Sequence, residues 1–113
     1  MSSTEPTAEL IRIVQTKGED RLRADAIGKL SLRYLKTGNI EVSKAFADIV
    51  ANESESRDLR IWAYINLYEV STRSYAEYPS LDVFSFPRDV DWDFVELFGG
   101  WKKESQEMGE ESA

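Results

Sequence analysis

The feature that most constrains this chain is a motif that comes back. Leu22-Arg23-x-x-Ala26-x-x-x-Leu30 reappears as Leu59-Arg60-x-x-Ala63-x-x-x-Leu67, each residue displaced by 37 positions. Self-similarity at such a period marks stacked helical units, because one unit cannot bury its apolar face alone. The expectation is two helices, over 20–36 and 57–73, lying side by side and nearly parallel. Ala26 and Ala63 should then occupy equivalent buried positions.

The rest of the chain can be placed around those two segments. Thr7 is read as the N-cap of a first helix carrying Leu10, Ile13 and Val14 on one face. Lys17-Gly18 supplies its stop, with Gly as a left-handed cap. The next helix, 19–36, presents Leu22, Ala26, Ile27, Leu30 and Tyr34, with Leu32 and Leu35 widening the stripe. Gly28 inside it costs about 1 kcal/mol relative to Ala, so close approach of a neighbouring helix is the expected reason for it. Thr37-Gly38-Asn39 ends this helix, and another over 41–52 shows Val42, Ala45, Phe46, Ile49 and Val50. A fourth, over 57–73, has a broad apolar arc that includes Trp62, Tyr64 and Tyr68. Phe46, Ile49 and Val50 match Leu10, Ile13 and Val14 at a displacement of 36, so the neighbouring helices repeat too.

This pattern resembles the HEAT and HEAT-like α-solenoid family, whose first helices commonly read acidic-x-x-apolar-Arg-x-x-Ala-x-x-x-Leu. Glu19-x-x-Leu22-Arg23-x-x-Ala26-x-x-x-Leu30 follows that form, and the second copy is looser, with Ser56 at the acidic place. The resemblance covers about residues 7–73. It implies a binding scaffold more often than an enzyme, and it implies that Arg23 and Arg60 are structural. Each is expected to hold a turn carboxylate: Glu19, Asp20, Glu55 or Asp58.

After residue 73 the helical period stops. Residues 74–87 contain Pro79 and Pro87 and read as an ordered loop with aromatic anchors; a lone strand at 83–86 would have nothing to pair with. Asp91 then looks like the N-cap of a short helix, 92–98, closed by Gly99-Gly100. The fold expected is all-α: a short helical repeat array with an aromatic-rich C-terminal cap. One domain spans 1–103, its first six residues frayed, and 104–113 form a disordered acidic tail.

Charge is unevenly spread. Residues 1–74 carry 11 acidic and 11 basic side chains, whereas residues 75–113 carry 10 acids against Arg88, Lys102 and Lys103, which accounts for the whole net charge of −7. An acidic surface argues against direct nucleic-acid binding, since phosphates need a basic face. It suits a basic protein partner. The chain has no cysteine and no histidine, which removes disulfides, thiolate chemistry and the usual neutral-pH base. The N-terminus lacks the regions of a secretory signal, and no apolar run approaches the roughly 20 residues that span a bilayer, so a cytoplasmic protein is expected.

No catalytic or metal-binding constellation is evident, and no cofactor is expected. Asp89-x-Asp91-x-Asp93 opens like a calcium loop, but Phe94 and Gly100 stand at the sixth and twelfth places, where Gly and Glu belong. The most unusual stretch is 75–101, where eight aromatic residues are interleaved with acids. Phe84, Phe86 and Phe98 are read as a cap over the end of the array. Asp82, Asp89, Asp91, Trp92, Asp93 and Glu96 are the candidate partner-binding residues, with Trp92 as an exposed anchor. The function expected is a non-catalytic interaction module binding a basic protein, in its sharpest form an acidic immunity-type inhibitor of a toxin. The rival is a small carboxylate-using enzyme, or a lyase-type accessory that holds a small molecule in the helical groove.

Overall fold

The computed structural model describes residues 6–80 and 85–99. Among them are five α-helices: α1 (Thr7–Gln15), α2 (Asp20–Arg33), α3 (Ile40–Ala51), α4 (Arg57–Val70) and α5 (Trp92–Gly99). A 3-10 turn, Tyr75–Glu77, follows α4. The expectations for residues 1–5, Asp82, Phe84, Trp101 and the 104–113 tail lie outside the described residues.

Helices α1 and α2 pack together, as do α3 and α4. The two pairs then meet, α1 on α3 and α2 on α4, and α5 covers α3. Contacts along α2 and α4 run in the same order. Asp20 meets Ser56 near the start, Ala24 meets Trp62 in the middle, and the turn residue Lys36 meets Glu69 at the end. The two helices therefore point the same way, and Ala26 and Ala63 are both buried, at 1% and 0% exposure.

The core is built where the apolar spacing places it on α3: Val42, Ala45, Phe46, Ile49 and Val50 are all buried. Elsewhere the structure corrects the reading. Thr7 is the first helical residue, not a cap; Pro6 precedes it, and the Thr7 hydroxyl pairs with that of Tyr34 at 2.8 Å. Ile11, which the reading omitted, joins Leu10 and Val14 in the core, and Ile13 packs against it half-buried. Gly18 is not left-handed. Helix α1 closes on Thr16, whose hydroxyl donates to the Arg12 carbonyl at 2.6 Å. Leu22 and Leu32 are 59% and 78% exposed. Helix α2 is covered on the flanks that face α1 and α4, and these two leucines lie on the side facing neither.

The place expected of Leu22 in the interior is taken by Arg23. Its guanidinium donates twice to the Val14 carbonyl, at 3.2 and 2.9 Å, and twice to the Glu55 carboxylate, at 2.7 Å each. Val14 O is one of the last α1 carbonyls, which no helical N–H can reach. Arg60 does the same at the matching place, donating to the Val50 carbonyl near the end of α3 at 2.8 Å. Arg23 thus holds one of the expected turn carboxylates. Arg60 holds none among the described residues; the Phe86 ring lies 4.8 Å from its guanidinium instead. The second copy therefore has an aromatic face where the first has an acid.

The end of α4 shows why the α2–α3 turn has its shape. All four terminal carbonyls of α4 are satisfied: Leu67 by the Ser71 N–H, Tyr68 by the Ser71 and Tyr78 hydroxyls, Glu69 by the Lys36 N–H and Val70 by the Gly38 N–H. Aiming the last two amides requires left-handed backbone at Lys36 (φ 60°) and Gly38 (φ 69°). Helix α2 consequently stops at Arg33, short of Lys36. The reason expected for Gly28 is not found: no described neighbouring backbone comes within 4 Å of a Cβ placed there, which would touch only the Trp62 ring, at 3.8 Å.

Two predictions follow from these contacts. Arg23→Ala and Glu55→Ala should each lower unfolding free energy by about 3–5 kcal/mol, since either strands a buried charge. Arg60→Ala should cost only about 1–2 kcal/mol, for one hydrogen bond and a cation–π contact. Urea melts of the three variants, with a double-mutant cycle on Arg23 and Glu55, test the ordering; equal losses at 23 and 60 would refute it. The glycines should respond with opposite signs. Gly28→Ala should stabilise by about 0.5–1 kcal/mol. Gly38→Ala should destabilise by about 1–2 kcal/mol, because its backbone is left-handed and its Cβ would press to 3.2 Å from Thr72. Thermal melts shifting the same way for both would contradict this.

Candidate functional site

Of the acidic residues singled out in the sequence, Asp82 lies outside the described residues, and Asp89, Asp91, Asp93 and Glu96 lie just before α5 or within it, where several of them build its start. Asp89 closes the preceding turn: its carboxylate accepts from the Ser85 N–H at 2.8 Å and from Arg88 Nε at 3.1 Å, and its own N–H donates to the Ser85 carbonyl at 2.7 Å. Arg88 and then the Ser85 amide hold the Asp89 carboxyl below its ordinary pKa. Asp91 is the N-cap expected: its Oδ1 accepts from the Phe94 N–H at 3.1 Å, and its own N–H donates to the Tyr64 hydroxyl at 2.9 Å. Trp92 is half-buried and packs against the core, so it is not the exposed anchor the sequence suggested. Glu96 is half-buried as well. Asp93 is exposed in the first turn, where negative charge favours the helix dipole.

Arg73 links this end to α4. Its guanidinium lies 3.3 Å from Glu77, 3.9 Å from Asp91 and 4.4 Å from the Phe94 ring centre. Glu77 and Asp91 are therefore brought together by Arg73 where α4 ends, the 3-10 turn begins and α5 starts. No group of three or more acids among the described residues is placed to hold a metal ion.

Beneath the acids lies the aromatic layer anticipated as a cap. Phe94 stacks on Tyr68 with ring centres 4.4 Å apart, Phe98 meets Phe94 edge-on at 5.4 Å, and Tyr78 lies 5.4 Å from Tyr68. Phe86 is buried at 8% exposure and Phe98 is half-buried. Sequence reasoning missed one member. The Lys36 ammonium sits 4.2 and 4.5 Å from the Tyr75 and Tyr78 rings and donates to the Arg73 carbonyl. Only the left-handed turn at Lys36 brings this lysine there, and no sequence period reports it.

A second surface lies between the outer sides of α2 and α4. It is a groove of about 660 Å³ lined by Ala24, Gly28, Leu32, Leu35, Trp62, Asn66 and Tyr75, with Asp25, Lys29 and Glu69 at its edges. A second hollow, shared with Arg21 and Leu22, extends it past Trp62. Leu35, Trp62 and Tyr75 are 43%, 41% and 63% exposed. The Trp62 indole N–H donates to the Ala24 carbonyl at 2.9 Å, so the ring is fixed across the groove floor. A signal for this surface was in the sequence. Leu22 and Leu32 share their helical face with Asp25 and Lys29, a mixture no core would hold.

The aromatic layer carries a pH dependence. Burial, then the hydrogen bond that the Tyr68 hydroxyl shares with Tyr64, raises the pKa of Tyr68; burial, then the Glu69 charge, raises that of Tyr78. The unfolded chain loses these protons first, near the ordinary tyrosine value of about 10. Stability is therefore fully present below about pH 10 and is lost as pH rises toward the folded values. Tyr78→Phe should cost about 1 kcal/mol at neutral pH, for its hydrogen bond to the Tyr68 carbonyl, and should flatten the alkaline loss. Urea midpoints measured from pH 7 to pH 11 test this; an unchanged slope in the variant would count against it.

No protein-family model, characterised protein or solved structure matches this chain. Its own geometry shows an all-helical protein with five helices among the described residues and a C-terminal aromatic cluster.

Proposed function

We propose that this chain is a non-catalytic protein-binding module of the HEAT-like repeat kind, and that its acidic end around α5 receives a basic protein. The observation that carries the reading is the segregation of charge. Residues 1–74 are balanced, and the whole net charge of −7 falls beyond them. In the fold, Glu77 and Asp91 flank Arg73, and Asp93 is exposed in the first turn of α5 two residues on. Such a patch steers a cationic partner and sets its orientation more than it sets affinity.

The repeat reading is supported by two coincidences of geometry. Arg23 and Arg60, each the fourth residue of its helix, cap the carbonyls of Val14 and Val50, each the second-to-last residue of the helix before. The helices that carry them point the same way. In its sharper form the partner is a toxin that the module covers, as small acidic immunity proteins do. The small-molecule alternative would draw on the α2–α4 groove, whose lining is mostly apolar and carries no paired acids.

The structure narrows the test. Asp89 and Asp91 hold the turn and the helix cap, so their loss would confuse folding with binding; Asp93→Lys and Glu77→Lys reverse charge at exposed positions. A partner isolated with the tagged protein should be basic. Its association rate should fall by about tenfold or more between 50 and 500 mM salt, and again in the double charge reversal. Trp92→Ala should lower the melting temperature rather than speed dissociation, because the ring packs on the core. Association that ignores both salt and charge reversal would remove the acidic end from consideration.

A further inference from the structure

The outermost strip of α2 is self-complementary. Leu22, Asp25, Lys29 and Leu32 lie at i, i+3, i+7 and i+10, on the face opposite buried Ile27 and Leu30. The strip is symmetric about the level of Ile27. Leu22 and Leu32 stand five residues to either side, and Asp25 and Lys29 stand two. A twofold axis at that level, running through the helix's outer face, would lay a second, antiparallel α2 upon the first. Each leucine then meets the other leucine of the partner, and each Asp25 meets a Lys29. From the strip and the groove beside it we infer that this face pairs with a second copy of the chain.

Three observations favour this occupant. The first is charge: Asp25 and Lys29 form a 3.1 Å bridge within one helix, so the strip is neutral and the chain's overall acidity does not oppose self-association there. Pairing exchanges two such bridges, one in each copy, for two across the axis, so the number of bridges is kept. A basic partner would find better complementarity around α5, where Asp91, Asp93 and Glu96 lie. The second is shape. Small residues, Ala24 and Gly28, floor the groove beside the strip, with Trp62 fixed across it. An incoming leucine can lie low there, and a two-fold arrangement uses the same patch on both copies. The third is exposure: Leu22 and Leu32 are 59% and 78% exposed and adjoin Leu35, Trp62 and Tyr75, which makes a contiguous apolar surface of the kind that marks an interaction site.

This inference is independent of the acidic-end reading, since it uses neither α5 nor its charges. The test is sedimentation velocity on the full chain from about 1 to 300 µM, with circular dichroism as a check on folding. Wild type should pass from monomer to dimer across that range. Leu32→Glu, at a solvent-facing position, should stay monomeric with its helix content intact. Asp25→Lys sets lysine against lysine twice and should weaken the dimer by about tenfold or more, whereas Asp25→Lys combined with Lys29→Asp should restore it to within about threefold. The charge-swap pair still reads the interface if Leu32→Glu fails to fold. A wild type that remains monomeric throughout, including one that binds only a foreign helix in the groove, overturns the proposal. So does a Leu32→Glu dimer of undiminished affinity, or a swap that fails to rescue.

Discussion

Four hydrogen bonds from one buried guanidinium tie three parts of this protein together. Arg23 caps the end of α1 through the Val14 carbonyl and grips the α3–α4 turn through Glu55, whose side chain is only 5% exposed. Burying an ion pair carries a desolvation penalty that attraction alone offsets poorly. What makes this one tolerable is that four of the guanidinium's five N–H groups and both oxygens of the carboxylate are engaged in hydrogen bonds. Lysine could not replace it, because a point charge cannot present a fork to a carboxylate and a carbonyl at once. The pairing specifies which hairpin sits on which: Glu55 belongs to the second helical pair and Arg23 to the first, so only one stacking of the two satisfies both.

The same device fails to repeat fully at Arg60, and the difference shapes the C-terminal region. Arg60 keeps the carbonyl cap but has the Phe86 ring in place of an acid. An aromatic face accepts a cation without bringing a second charge to be desolvated. That contact fastens the segment before α5. Tyr64, Tyr68 and Phe94 then dock α5 itself, and the Asp91 N–H supplies the hydrogen bond that the buried Tyr64 hydroxyl accepts. The aromatic residues in this stretch are thus mostly structural. The acids that accompany them divide between capping and turn-closing residues and a few, such as Asp93, left facing outward.

Two surfaces result, and they differ in character. One is acidic and surrounds the start of α5; the other is neutral and apolar, along α2 and α4. The acidic one belongs to a helix that packs on α3 and on Tyr64 and Tyr68 of α4, and the groove lies between the outer sides of α2 and α4. A module paired through α2 would present two acidic ends to its surroundings, and bivalence of that sort multiplies the effective affinity for a repetitive partner. No described helix is long and apolar enough to cross a membrane.

The sequence by itself determined the elements and their pairing. Period alone locates the helices, since α3 shows its five expected core residues and the 37-residue displacement anticipates that α2 and α4 touch, with Ala26 and Ala63 buried. Helix periodicity is a local property, written in residues three and four apart. The structural role of Arg23 was legible only as what the resemblance of its motif to HEAT-like repeats implies. Only the tertiary structure decided which apolar residues stay outside. Leu22 and Leu32 have the spacing of a core stripe, and they are exposed because, among the described residues, no third element covers that side of α2. Likewise the Lys36 clamp, the left-handed Gly38 and the Trp62 bridge to Ala24 all depend on where α4 ends relative to the turn after α2. Those are contacts between residues some 32 to 42 positions apart. No local pattern encodes such a meeting; it exists only once the two helical pairs have been brought together.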